Sequence, residues 1–309
     1  MSVSNGAVIA VLVALIPVYW TYLSGDPFSA MYANFLLFTP FRESARSAWA
    51  NIVHVDSAVS KGHTPIPEIQ AEDYSFETLR YATENFKYPA VVRGLFKGTP
   101  AIEKWAEPGY LASKIGKYNV PVTRKAIYGT LQNDRYTGSF GDAYEEILAD
   151  TNSTLYLFFP VQSRFNFNAS SPEVAAQKEL KESINQIMID DLHIDQTLWK
   201  GFGTKQHKTY FGSQIIAGRG KNNTITTGTG WHCAMGNNWF VQIAGMKRWY
   251  FMEQKYSSFM WPLRGGAVNM MTGNTKMPKS MPHLPLRYVD LKSGDLLYNP
   301  DWMWHTIKK

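Results

Sequence analysis

From about Tyr210 to the carboxyl end the chain is written in short runs: "YFGSQIIAG", "GWHCA", "NWFVQIAGMKRWYFM", "LRYVDLKSGDLLYNP" and "WMWHTIK". Each is rich in aromatic and β-branched residues, and each is cut by Gly, Asn or Pro. Runs of this kind are too short and too frequently interrupted for packed helices. They predict an antiparallel barrel or sandwich. The preceding half reads differently. "FETLRYATENF" (Phe76 to Phe86) and "FGDAYEEILAD" (Phe140 to Asp150) are amphipathic and helical, and "AIEKWAEPGYLASKIG" holds two shorter helices. Between them "YPAVVRGLF" and "STLYLFFPV" read as strands. Helices first and strands later make an α+β chain.

The amino terminus follows another rule. No charged side chain occurs before Asp26, and Gly6 to Leu23 ("GAVIAVLVALIPVYWTYL") is nearly all apolar. About 18 residues of helix just cross a hydrocarbon core, and Trp20 and Tyr22 suit the headgroup level. A cleaved signal peptide normally opens on a basic region, which "MSVSNG" lacks. The expectation is a single-pass membrane anchor over residues 1–25. Residues 26–75 then form an interfacial apolar segment (Asp26 to Phe41) and a Pro-containing linker (Ser60 to Gln70), and residues 76–309 the body. Arg42 and Arg46 favour a cytosolic body, whereas sequons at Asn152, Asn168 and Asn222 favour a lumenal one in the ER or Golgi. The lumenal side is the expectation.

A net charge of +6 is spread over scattered basic pairs such as Arg124-Lys125 and Lys247-Arg248, with no nucleic-acid motif. Solvated surface is the expectation for most of them, and no nucleic acid is expected as partner. The single cysteine, Cys233, excludes an internal disulfide framework.

Taken in order, "YPAVVRG", "WAEPGYL", "LYLFFP", "GTGWHCAMGNNWFVQIAGMKRWYF" and "LKSGDLLYNPDWMWHTI" resemble the JmjC/cupin-like oxygenases. The resemblance is nearest to the branch of the asparaginyl hydroxylase that inhibits hypoxia-inducible factor. It runs from about Tyr88 to the carboxyl end. It implies a double-stranded β-helix (a cupin/JmjC-like jelly roll) with flanking helices, holding Fe(II) through an H-x-D pair and a distal histidine, with 2-oxoglutarate as co-substrate.

His232 matches the first histidine and His305 the distal one. Residues i and i+2 of a strand share a face, so position 234 belongs beside His232 at the metal. That position is alanine. The co-substrate residues are better kept: Tyr156, Thr229, Asn238 and Lys247 match the tyrosine, threonine, asparagine and lysine that hold 2-oxoglutarate in that branch. Lys247 follows position 234 by 13 residues, as the resemblance requires.

Three readings follow from Ala234. The first is a pseudoenzyme, impaired in iron binding and kept as a scaffold or subunit of a membrane assembly. The second is a working Fe(II)/2-oxoglutarate hydroxylase with another group in the third position. The third is a halogenase-like oxygenase in which chloride binds at the H-x-A site. The resemblance also implies a further strand after His305: either the sequence is truncated there, or a protein partner covers an open barrel edge. The remaining histidines, the acids Asp190, Asp191 and Asp195, and the turn residue Asp295 are expected to be structural.

Overall fold

The computed structural model describes residues 63–124, 135–150, 155–161, 213–218, 229–260 and 284–308, with Ile16, Ser153, parts of 179–200, and 263–264 and 270–272. Apart from Ile16 and Ser153, the expected membrane helix, the interfacial segment and the three sequons lie outside the described residues. Among the described residues, no helix is long and apolar enough to cross a membrane.

The Pro-rich stretch read as a linker enters the body at Thr64. Strand β1 (Thr64–Pro65) and strand β2 (Glu68–Gln70) are extended, as X-Pro sequences favour, and each joins a sheet. Helix α1 (Phe76–Ala82) is opened by Ser75, whose hydroxyl accepts from the Thr78 backbone N–H at 3.1 Å. Replacing that cap, Ser75→Ala, costs about 1 kcal/mol, measured as a lower urea midpoint with unchanged slope. The helix stops four residues earlier than its periodicity predicts. Thr83 turns its hydroxyl onto the Leu79 carbonyl at 2.7 Å, and Glu84, Asn85 and Phe86 are left-handed, so the helical ladder ends.

Strand β3 (Ala90–Arg93) follows, then α2 (Pro100–Lys104), α3 (Tyr110–Ile115), β4 (Asn119–Arg124), β5 (Arg135–Ser139), α4 (Phe140–Ala149), β6 (Leu155–Val161) and β7 (Ser213–Gly218). The carboxyl-terminal part contributes β8 (His232–Ala234), β9 (Asn238–Val241), β10 (Met246–Met252), β11 (Leu263–Arg264), β12 (Met270–Thr272), β13 (Arg287–Lys292), β14 (Leu296–Asn299) and β15 (Trp304–Lys308). A 3₁₀ helix, Gln254–Met260, interrupts this strand rhythm, and a shorter one, Ala71–Asp73, follows β2.

The strands form a seven-stranded sheet, β1-β13-β10-β15-β8-β12-β11, and two four-stranded sheets, β2-β3-β14-β9 and β5-β4-β6-β7. The first two face one another. Val91, Phe240 and Leu297 of the smaller sheet pack against Trp249, Phe251, Val289, Leu291 and Ile307 of the larger one. Period-two alternation sends the next residues to the opposite face. Ala90, Val92, Leu296 and Tyr298 therefore back onto the helices and onto Val120, Val122, Leu155 and Leu157 of the third sheet. Behind the larger sheet, Trp231, Cys233, Met252 and Trp304 pack on Tyr256 and Met260 of the 3₁₀ helix.

The open edge expected at the last strand is not there. Strand β15 lies between β10 and β8, antiparallel to both, so its backbone is paired on each side. The sheet edges are β1 and β11 in the larger sheet and β2 and β9 in the smaller one. Inserting the terminal strand between two earlier ones is what sets His305 directly opposite His232.

Candidate metal and carboxylate site

His232 and His305 are Cα partners across β8 and β15, and their ring centroids are 4.1 Å apart at 57°. Each ring is oriented by its own backbone. His232 Nδ1 meets the Gly230 carbonyl at 2.8 Å, and His305 Nδ1 meets the Met303 carbonyl at 2.8 Å. A carbonyl can only accept, so the proton sits on Nδ1 in both rings and each Nε2 carries a lone pair. Burial holds the His232 pKa below the usual imidazole value, against the pull of the Gly230 carbonyl. His305 lies further below, through burial first and then through His232 beside it. Two neutral imidazoles with oriented Nε2 atoms are ready-made metal ligands.

The third ligand of a facial triad is another matter. Ala234 offers only a methyl group, and its carbonyl accepts from the Trp302 N–H at 2.8 Å. Cys233, fully buried, points into the apolar cluster behind the sheet, and Met235 is 62% exposed. Among the described residues, no third His, Cys, Asp or Glu joins the pair to form a metal-holding group. Fe(II) held by two histidines and a carboxylate therefore does not fit the residues present.

Of the four residues expected at the co-substrate, Tyr156, Thr229 and Lys247 belong to this interior and Asn238 does not. Lys247, Trp249 and Phe251 alternate onto the inner face of β10, and Lys247 Nζ lies 6.0 Å from the Tyr156 ring centroid and 5.9 Å from that of Phe240. The basic pair Lys247-Arg248 is thus split. Arg248 pairs at the surface with Asp290 through two 2.6 Å contacts, while Lys247 turns inward. Tyr156 is 1% exposed and faces away from Leu155 and Leu157. Burial pushes its hydroxyl pKa up, so it stays a protonated donor. Gly218 lies across from Tyr156, and a Cβ there would come within 2.7 Å of the tyrosine ring.

Contacts run unbroken from the lysine to the histidines: Phe240 packs on Trp249 at 5.0 Å, and Trp249 stacks on His305 at 5.4 Å and 19°. Thr229 is fastened to β15, its carbonyl accepting from Thr306 Oγ1 at 2.8 Å and from the Ile307 N–H at 3.2 Å. Its own Oγ1 is buried with no partner among the described residues. Asn238 stands apart, at an exposed position at the start of β9, opposite Asn299 in register. An orphaned hydroxyl, a protonated tyrosine and an inward lysine fit a small dicarboxylate such as 2-oxoglutarate.

Two residues of this interior had gone unread in the sequence, Trp249 and Asn299. Asn299 is 2% exposed and brings its amide nitrogen to 3.3 Å from His305 Nδ1. The signal was alternation: in "LLYNP", Leu297 and Asn299 share the face that a buried strand fills with apolar groups. The other candidates are structural. Asp191 accepts from Trp105 Nε1 (2.7 Å), Tyr110 OH (3.1 Å) and Lys114 Nζ (3.3 Å), and Asp190 accepts from Gln186. His193 occupies a left-handed turn position and His63 packs on Tyr250, while His54, His207 and His283 lie outside the described residues.

Facing sheets, flanking helices and a histidine pair on adjacent inner strands define a cupin-like barrel. The family description of a cupin-like domain matches residues 79–309, and the chain belongs to that family. No curated protein matches the chain.

Proposed function

We propose that the chain is a membrane-anchored cupin-like protein whose barrel retains a dicarboxylate site but is impaired as an Fe(II)/2-oxoglutarate oxygenase. It serves as a scaffold or subunit of a membrane assembly. The observation that carries this reading is Ala234 on the face of His232, with no acid completing the pair among the described residues. Losing the only anionic protein ligand leaves the charge of a dication uncompensated, and its affinity falls. Tyr156, Thr229 and Lys247 are proposed to hold the dicarboxylate, with Asn238 at the mouth. A protein partner is to be sought on an edge strand such as β9 rather than on β15. The apolar Gly6 to Leu23 segment is the proposed anchor, with the body on the lumenal side.

The test is anaerobic Fe(II) titration of the purified full chain, followed by succinate formation from 2-oxoglutarate in air. Weak iron binding and no succinate are expected. Tight iron binding with turnover would overturn the reading in favour of a working hydroxylase, for which the oriented, neutral histidine pair is the specific support. Turnover that requires chloride would instead mark a halogenase-like enzyme.

A further inference from the structure

The interior around the histidine pair holds more hydrogen-bond donors than the barrel uses. Trp249 Nε1 and Thr229 Oγ1 are both buried without a partner among the described residues. An indole N–H only donates, and leaving it buried without an acceptor is destabilising. Trp249 is 1% exposed, so bulk water does not relieve it. Its ring lies parallel to that of His305, on the inner face that also carries Lys247.

Asn299 adds to the same inventory. The His305 Nδ1 proton is already given to Met303, and a nitrogen bearing that proton cannot accept from an amide. Of the two amide atoms, the oxygen is the one left without a partner. Turning the amide over lets the oxygen share the Nδ1–H with the Met303 carbonyl, at the longer distance of 3.3 Å, and leaves both NH₂ protons to give. Beside His305 stand an indole N–H and a primary amide, and the Thr229 hydroxyl lies on the segment fastened to the same strand. The buried groups of Trp249, Asn299 and Thr229 that lack a partner among the described residues call for an anion.

In a metal-dependent barrel the cation supplies much of the hold on a keto acid. Here the third protein ligand is gone, and two extra N–H donors stand beside the distal histidine. We propose that Trp249 and Asn299, with Thr229, replace the metal as the anchor for one carboxylate of a small dicarboxylate, so that this site binds 2-oxoglutarate-type ligands without metal. The inference rests on the reading that Tyr156 and Lys247 still hold a dicarboxylate here.

The experiment is calorimetric titration of the full chain with 2-oxoglutarate in excess EDTA, repeated anaerobically with Fe(II). Binding is expected in EDTA, with an affinity that Fe(II) changes by less than about threefold. Trp249→Phe removes the indole N–H and keeps a ring; Asn299→Leu removes the amide at similar size. Each weakens metal-free binding about tenfold or more, the worth of a hydrogen bond to a charged group. Urea unfolding of each variant checks the fold, and if Trp249→Phe loses its cooperative transition, Asn299→Leu and Thr229→Val decide the matter. Binding that requires Fe(II), or metal-free binding that those variants leave unchanged, overturns the inference while the dicarboxylate site stands. Absence of binding in both conditions overturns the dicarboxylate site as well. The impaired-oxygenase reading is judged separately, by iron affinity and succinate.

Discussion

Ala234→Asp raises the Fe(II) affinity of the full chain by at least about tenfold, equivalent to about 1.4 kcal/mol of added metal–ligand free energy. The strand already has the right geometry for the gain. Position 234 shares the inner face with His232, and the Nδ1 protons of both histidines are fixed by the Gly230 and Met303 carbonyls, so both Nε2 lone pairs are free for a metal. A carboxylate there supplies the missing charge without disturbing the strand, because the Ala234 backbone is anchored independently by the Trp302 N–H. Anaerobic calorimetry on wild type and variant reads the difference, and succinate formation in air tells whether turnover returns with the metal. An affinity that does not rise sinks the idea that Ala234 is what the iron site lacks.

Asp295→Ala is expected to destabilise the fold by about 3 kcal/mol, read as a shift in the urea midpoint at constant slope. Asp295 is 3% exposed, and its two oxygens take three donors from two elements. Oδ2 accepts from Arg93 Nη1 at 2.6 Å and from the Lys292 N–H at 3.0 Å, and Oδ1 from the Gly94 N–H at 2.9 Å. The alanine variant leaves two backbone N–H groups without their acceptor and removes one of the two carboxylates that Arg93 binds. Glu68 remains on the other side of the guanidinium, which limits the loss. Asp295→Asn keeps acceptor capacity and falls between wild type and alanine. A cost below about 1 kcal/mol for the alanine variant would show that the clamp between β3 and the β13–β14 turn is dispensable.

Much of this architecture was legible in the sequence, and for local reasons. Alternation in "MKRWYFM" and "LLYNP" reports which residues face inward, and Ser75 and Gly94 mark where a helix begins and a strand ends. The histidines and the lysine were placed by the resemblance to the JmjC/cupin-like oxygenases, and because i and i+2 share a face on any strand, Ala234 followed beside His232. Where the sequence misled, the cause was long-range. Nothing near Thr64 announces that a Pro-rich segment will be captured by β13 and β3, since the pairing partners lie more than a hundred residues away for one of the two strands. The helix ending at Ala82 was masked by continued periodicity, and only the left-handed turn at Glu84 to Phe86 reveals the stop.

The sequence by itself determined the kind of chain this is: strand period, cap and turn residues, an apolar amino-terminal stretch, and Ala234 on the strand face of His232. These are properties of near neighbours, written in a period of two or of 3.6 residues. Tertiary structure decided the rest. It placed β15 inside the sheet rather than at its edge, turned Lys247 in and Arg248 out to Asp290, and stacked Trp249 on His305 beside Asn299. Those outcomes depend on which strands pair across long separations and on which buried donors are left without acceptors. A linear pattern does not carry that information, because a donor becomes an orphan only when the groups around it have been chosen by the fold.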